Sequence, residues 1–386
     1  MKRALWPHAH RGLKSVALPA SPSSPLLIGK HYILNQAQVW AKVSKLQLSA
    51  MVVLSSSCGF LLAGPSFDLH KLACVTVGCS LAAASASAFN QVYEKKTDMK
   101  MLRTRHRPLP SGVVSQRGVV KFALGSMMSS YGILYLGTDP LTCALGMGTI
   151  FLYGAVYTPL KQVSEWNTWV GAVVGAVPPI MGYTAATGGV VDSSAMLLGT
   201  GLFLWQFPHF FALAWLLRKD YARGGHQMVS VNDPSGKRTA QIMSRYSMAL
   251  SAVPMLAYAT GTTGIMFPLE SLAFNGYLLY TCALYSKETS DENARRVFRT
   301  SLWYLPVFMG LFVLHSKKDR REQGEQEPWA RWRNRELTVL DQIRSSMKGL
   351  CVHEWALQRQ STTPCPKLEI DQIKLVCCIA GTEFPP

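Results

Sequence analysis

Leu69-His-Lys-Leu-Ala-Cys-Val-Thr-Val-Gly-Cys-Ser-Leu-Ala-Ala-Ala-Ser-Ala-Ser-Ala-Phe-Asn90-Gln-Val-Tyr-Glu94-Lys-Lys-Thr-Asp98 runs from an apolar helix into water. Residues 69–89 carry one charge, Lys71, near the start, and then Asn90, Glu94 and Asp98 recur every fourth residue. On a helix that spacing drifts only about 40° per step, so the three side chains share one face. Two carboxylates and an amide at the mouth of a membrane bundle make a hard oxygen site. Such a site suits Mg²⁺, which takes carboxylates, retained waters and substrate phosphates. Lys100, Arg103, Arg105 and Arg107 follow at once and would suit a polyphosphate. Snorkelling interface residues would show the same spacing, but polar groups at membrane depth usually have a function.

Working outward, the 386 residues are 48% hydrophobic and only 16% charged, the profile of a polytopic membrane protein. Nine stretches could span, roughly 48–64, 69–97, 118–137, 140–160, 168–187, 194–217, 243–263, 265–286 and 300–315, the first and last being short for a core of about 30 Å. Threaded alternately through a bilayer, they sort the charge. Of the 20 Lys and Arg residues between Asp68 and His315, nineteen fall on one side and only Lys71 on the other. The positive-inside rule puts the crowded side, with the N-terminus, in the cytoplasm or the mitochondrial matrix. The net charge of +17 is thus largely topological and calls for no nucleic acid. The nine cysteines show no zinc spacing and imply no disulfide framework; they read as small packing residues.

The two ends differ from the middle. Residues 1–67 hold seven basic residues and no acid, and the first 30 are rich in Ser and Pro. Residues 1–45 therefore resemble an organelle transit peptide, of mitochondrion or plastid, and not a secretory signal. From Ser316 the last 71 residues carry 12 basic and 10 acidic residues and no span. This 316–386 tail has no function in the sequence reading and reads as a segment that need not belong to the working protein. The 46–315 region is the membrane body.

Three further clusters carry chemistry. Arg218-Lys-Asp220-Tyr-Ala-Arg223-Gly-Gly225 ends the sixth span on the same side as Asp98. A diphosphate bridged by Mg²⁺ would be held by carboxylates from both clusters, with Gly224-Gly225 letting backbone N–H groups approach. Tyr153-Gly-Ala-Val-Tyr157-Thr-Pro-Leu-Lys161 ends the fourth span, and Lys161 is the only basic residue between Lys121 and Arg218. It could reach a leaving diphosphate and stabilise its charge, and a snorkelling lysine would look the same. Asn167 to Pro179 and Trp205-Gln-Phe-Pro208-His209 supply small residues for close packing and prolines that would kink their helices. His209, the one histidine well inside a span, could ligate haem iron, position a carboxylate, or be structural.

Taken together, Asn90–Asp98, Arg103-Thr-Arg-His-Arg107-Pro-Leu-Pro-Ser-Gly112, Tyr157–Lys161, Asn167–Pro179, Trp205–His209, Asp220–Gly225 and Asp233-Pro-Ser-Gly-Lys-Arg238 resemble the UbiA superfamily of membrane prenyltransferases. Within it they are similar to the protohaem IX farnesyltransferase branch (the haem O synthases), over about residues 45–315. The resemblance implies an all-α integral membrane fold, a nine-helix bundle around a central cavity that opens laterally to lipid. It implies transfer of a farnesyl group from farnesyl diphosphate to a vinyl group of haem b, with addition of water. Mg²⁺ would be held by Asn90, Glu94, Asp98 and Asp220, and the diphosphate by Arg103, Arg107, Lys161 and Arg223. Lys161, Asp98 and Asp220 would be the catalytic groups. Tyr153, Tyr157, Trp205 and His209 would stabilise the allylic cation or bind the acceptor. Asp220 is followed by Gly224 where other branches carry a second Asp, which leaves fewer carboxylates for a second metal. The implied setting is the mitochondrial inner membrane, multi-pass, with the site facing the matrix and the product handed to haem A synthase. Two rivals stay open: a relative that prenylates a quinone precursor or chlorophyllide, and a transporter or assembly factor whose acids carry ions.

Overall fold

Helices form over each long apolar stretch, and five of them start where the sequence supplies a capping side chain. The computed structural model describes residues 36–64 and 68–317, and over these the chain is all-α. The expectations for the leader before residue 36 and for the tail after residue 317 lie outside the described residues. Helix α1 (Gln36–Val43) meets α2 (Leu46–Leu62) at a 59° bend. Then come α3 (Leu69–Tyr93), α4 (Lys95–Lys100), α5 (Gln116–Gly137) and α6 (Pro140–Phe151). A π-helical segment (Leu152–Tyr157) joins α6 to α7 (Thr158–Val163), and α8 (Asn167–Thr187) and α9 (Ser193–Leu216) follow. The short α10 (Arg218–Gly224) and α11 (Val229–Asn232) lead into α12 (Lys237–Ala259), α13 (Met266–Lys287) and α14 (Asp291–Leu314). Asp68, Ser115, Asp139, Asp192 and Ser290 each accept a backbone N–H in the first turn of the long helix they precede, satisfying donors the helix leaves open.

Among the described residues, six helices are long and apolar enough to cross a membrane, or seven if the bent pair α1–α2 counts as one. The nine stretches expected from the sequence all carry helix, but α12 and α13 fall below that standard. The reason is local: Lys237, Arg238, Gln241 and Arg245 load the first third of α12, and α13 carries Glu270 and Asn275. The prolines expected to kink their helices, Pro178-Pro179 and Pro208, sit inside helices that run on through them.

Lipid offers little hydrophobic drive between helices, so close van der Waals packing and interhelical hydrogen bonds must hold the bundle. Ser85 Oγ donates to Ala123 O (2.9 Å) and Ser130 Oγ to Gly78 O (2.8 Å), stitching α3 to α5. Tyr304 Oη donates to Asn275 Oδ1 (2.6 Å), stitching α14 to α13. Helices α2 and α8 approach closely at two glycines. A Cβ on Gly182 would lie 1.7 Å from Ser56 O, and one on Gly59 would lie 1.9 Å from Pro179 O. Both contacts are with backbone, which cannot swing aside. Gly182→Ala should therefore push the two helices apart and lower the thermal midpoint in detergent, by an overpacking cost of about 1–3 kcal/mol. An unchanged midpoint would show that the helices part without cost.

The π segment is explained by Pro159. Proline has no N–H and its ring crowds the carbonyl four residues back, so the regular ladder cannot continue into α7. Tyr153 O accepts both the Thr158 backbone N–H, in the π-helical pattern, and the Thr158 hydroxyl at 2.7 Å. The distortion lies beside the acidic motif, where it sets the path of Tyr153, Tyr157 and Lys161.

Candidate functional site

Asn90, Glu94 and Asp98 line one wall of a cavity of about 780 Å³ at the end of the bundle, with Lys45, Arg103, Arg107, Tyr157 and Lys161 around it. The single helix expected through the motif is interrupted: α3 ends at Tyr93, Glu94 is its C-cap, and α4 carries Asp98. The backbone still bonds Glu94 N to Asn90 O (2.9 Å) and Asp98 N to Glu94 O (2.7 Å), so the three side chains keep a common face.

Each member of the motif faces a cation. Lys45 Nζ donates to Asn90 Oδ1 at 2.7 Å, Lys161 Nζ to Glu94 Oε1 at 2.8 Å, and Arg107 Nη1 to Asp98 Oδ2 at 2.7 Å. Asn90 is oriented from its other side, where Nδ2 donates to Thr158 Oγ1 at 3.1 Å. Lys161 Nζ also stands 4.4 Å from the centre of the Tyr157 ring and 6.0 Å from that of Tyr153, within cation–π range. Gly171 on α8 makes room for this ring, since a Cβ there would lie 2.8 Å from Tyr157. Arg103 lines the cavity and is exposed, and its side chain has no acceptor among the described residues.

The donor set fits a hard divalent cation in the company of a substrate. Asp98 is fully buried and its Oδ1 has no hydrogen-bond partner, an acceptor held ready on the cavity wall. Among the described residues no three His, Cys, Asp or Glu side chains gather as a metal-holding group. Arg107 and Lys161 already take one oxygen each from Asp98 and Glu94. A Mg²⁺ ion here would draw its remaining ligands from diphosphate oxygens and water, as that ion ordinarily does.

The other expected residues are placed differently. Asp220 does not line the cavity; its Oδ1 accepts from Leu102 N (2.8 Å) and its Oδ2 from Arg103 N (3.3 Å). It fixes the backbone of the arginine loop. Arg223, half-exposed, stands 3.6 Å from Asp220 Oδ1 and off the cavity. The Gly225 N–H, expected to approach phosphates, is spent on Ala222 O (3.0 Å), and Gly225 itself caps α10 with φ 75°. Trp205 and His209 stack on each other at 4.7 Å and both bond Ser301 on α14, by Nε1 to the carbonyl (2.8 Å) and by Nδ1 at the hydroxyl (2.9 Å). They belong to the α9–α14 packing and are not on the cavity wall. Asp233 accepts from Thr239 N (2.8 Å) and from the Ser235 and Thr239 hydroxyls, both 2.9 Å; these bonds hold its carboxyl below the usual range although burial pushes the other way. Its segment orders the start of α12.

Two cavity residues, Lys45 and His226, and Thr158, which orients Asn90, had no signal of their own in the sequence. Lys45 sits in the left-handed region (φ 51°) between α1 and α2. It lies at the edge of what composition marks as leader, yet Gln38, Ala41 and Lys42 of α1 also line the cavity. Thr158 hides inside the Tyr-Thr-Pro run. His226 follows the glycine pair, lines the cavity and is buried, and that burial holds its imidazole below the ordinary value.

The UbiA prenyltransferase family model matches residues 52–305. The human "Protoheme IX farnesyltransferase, mitochondrial" is 43% identical over 275 residues, 71% of this chain and 61% of that protein. The Arabidopsis thaliana protein of the same name is 39% identical over 298 residues, 77% of this chain and 68% of that protein. The Solibacter usitatus "Protoheme IX farnesyltransferase" is 34% identical and aligns over 97% of its own length. The chain thus spans about 61–63% of the length of the two mammalian relatives it matches, the human and the Pongo abelii proteins. Among solved structures, a digeranylgeranylglyceryl phosphate synthase overlays with TM-score 0.62 at 13% identity, covering 73% of this chain and 98% of that one. A UbiA homologue from Archaeoglobus fulgidus bound to DMAPP and Mg²⁺ overlays with TM-score 0.54 at 12% identity, covering 71% and 98%. At such identities the overlays speak for the fold.

Proposed function

Because this chain belongs to the UbiA prenyltransferase family, we propose that its cavity transfers a farnesyl group from farnesyl diphosphate to a vinyl group of haem b, in the mitochondrial inner membrane. The observation that carries the reading is the paired arrangement in one cavity: an Asn-Glu-Asp wall with every member opposed by a cation of the chain. Relatives at 34–43% identity named for protohaem IX farnesyl transfer support the choice of acceptor and donor. The A. fulgidus fold neighbour with DMAPP and Mg²⁺ supports a metal-assisted diphosphate site. Mitochondrial relatives and several apolar helices support the membrane setting. The bias of basic residues toward one side supports a matrix-facing mouth.

In this reading the diphosphate enters among Lys45, Arg103, Arg107 and Lys161, and bound Mg²⁺ would neutralise part of its charge, held by Asn90, Glu94 and Asp98. Lys161 and Arg107 would then trade their carboxylate partners for phosphate oxygens, so neither of these two cations is left unpaired at either stage. As the carbon–oxygen bond breaks, negative charge grows on the diphosphate, where Lys161 is already placed, and positive charge grows on the allylic carbon, for which the Tyr157 ring on the cavity wall would offer a π face once Lys161 turns to the diphosphate. Tyr153 is off the wall and neighbours Lys161 Nζ at 6.0 Å. The vinyl carbon of haem attacks that cation and water adds to the carbon left electron-poor, its proton passing to solvent. The product would pass to haem A synthase. Asp220 acts through the arginine loop and Arg223 through Asp220; Trp205 and His209 hold α9 to α14.

The test is direct. Purified protein incubated with haem b, farnesyl diphosphate and Mg²⁺ should yield farnesylated, hydrated haem by mass spectrometry, and EDTA should abolish it. Prenylation of a hydroxybenzoate in place of haem would move the chain to a quinone-making branch of the same family.

A further inference from the structure

We propose that a second cavity of the bundle binds the phosphate of an anionic phospholipid. This cavity, about 770 Å³, is lined by the α7–α8 turn (Val163 to Trp166), Trp169, Gln227 and one face of α12 bearing Arg238, Gln241, Ile242 and Arg245. The spacing i, i+3, i+4, i+7 puts those four α12 side chains on one stripe. Met243, Ser247 and Leu250 face the core instead. Three of the four polar residues that keep α12 below the apolarity of a spanning helix, Arg238, Gln241 and Arg245, are therefore gathered on the wall of this cavity.

The two arginines differ in their partners. Arg238 Nη2 meets Glu165 Oε2 at 2.7 Å, and Asn232 Nδ2 takes the other carboxylate oxygen at 2.9 Å, so Glu165 is fully engaged. Arg245 has no anionic partner among the described residues. It stands seven residues past Arg238, about 10 Å further along the helix axis. Its guanidinium is exposed and lines the cavity, and a planar fork suits a phosphate.

The neighbours decide what kind of phosphate carrier fits. Val163 is 77% exposed and Trp166 65% exposed, apolar surfaces left bare beside the guanidinium. A soluble phosphate would leave them bare, whereas an amphiphile covers both. Trp166 tilts against Trp169 at 5.1 Å, and Trp169 is anchored by Nε1 to Tyr246 Oη at 2.7 Å. Tryptophans at headgroup level beside arginines are the pattern of an interfacial lipid site. The haem acceptor fits less well. A wall closed by Gln227 N to Lys161 O (2.7 Å) and Asn167 Nδ2 to Gln227 O (2.7 Å) stands between this cavity and the first. A molecule bound here is kept from the Lys161 side, but it braces the end of α7, the helix that carries Lys161.

The experiment uses the full chain in phosphatidylcholine nanodiscs with and without phosphatidylglycerol, followed by native mass spectrometry after mild detergent extraction. The wild type should retain phosphatidylglycerol over phosphatidylcholine. Arg245→Gln should cut that retention about fivefold, the effect of one basic side chain near a membrane surface. Glu165→Gln, which frees Arg238, should raise it. Transfer activity of Arg245→Gln at saturating substrates in phosphatidylcholine should equal that of wild type. Equal retention by Arg245→Gln and wild type, or no gain in Glu165→Gln, would overturn the proposal. So would displacement of the lipid by inorganic diphosphate alone, which marks a free-anion site, or by haemin, which marks an acceptor site.

Discussion

Lys161→Met is expected to lower turnover by about 10²–10³-fold, the cost of removing one preorganised group from developing charge. It should also cost stability, and the two losses can be separated. Lys161 and Glu94 form a pair with side chains 11% and 5% exposed. Removing the ammonium alone leaves Glu94 buried without its partner, a penalty of about 3–5 kcal/mol for a buried pair. The double variant Lys161→Met with Glu94→Gln takes away both charges and should recover most of the thermal midpoint. It should not recover the rate. A neutral pair can neither receive the diphosphate nor steady it as it leaves, and Arg107 is committed to Asp98 until substrate arrives. Transfer kinetics and thermal unfolding on the same three preparations read both quantities. A double variant that turns over at close to the wild-type rate would reduce Lys161 to a structural partner of Glu94.

Much of the cavity was legible because its chemistry is local in sequence. Asn90, Glu94 and Asp98 share a helical spacing that survives the break at Glu94, since the backbone bonds to Asn90 O and Glu94 O bridge it. Lys161 stands out as the only basic residue between Lys121 and Arg218, and the structure brings it to Glu94 across 67 residues of chain. Residues defined by what packs against them were not legible. Lys45 looks like one more basic residue of an acid-poor leader, and only the 59° bend aims it at Asn90. His209 is the lone intramembrane histidine, yet rotation of α9 turns it to Ser301 and away from the cavity. Asp220 shows the same limit. Spacing identifies an acid at a helix end but not whether its oxygens face a cavity or the N–H groups of a neighbouring loop, here 118 residues away in sequence. The expectation of nine membrane crossings rests on window hydropathy, which the polar stripe of α12 dilutes.

Asp98→Asn and Asp220→Asn should separate two ways an acid can serve this cavity. Asp98 is fully buried, with Oδ2 on Arg107 and Oδ1 without a partner. The amide keeps the shape and one acceptor but removes the charge that a cation or a displaced arginine would require. Turnover should fall about 10²–10³-fold, and raising Mg²⁺ should not restore it. Asp220 has both oxygens on the backbone of Leu102 and Arg103. Its amide can still accept one of those N–H groups, so the loss is one charge-assisted hydrogen bond, about 1.5–3 kcal/mol spread over a loop. That loop positions Arg103 and Arg107, so the expected result is a KM for farnesyl diphosphate raised about tenfold or more. The change in kcat should be smaller and the Mg²⁺ dependence unaltered. Steady-state kinetics over a Mg²⁺ titration give all three quantities for each variant. If Asp220→Asn instead shifts the Mg²⁺ requirement as strongly as Asp98→Asn, then the loop opens when substrate binds and Asp220 turns from the arginine backbone to the metal. The resting geometry would then describe a closed latch, and the two acidic clusters would meet across the diphosphate after all.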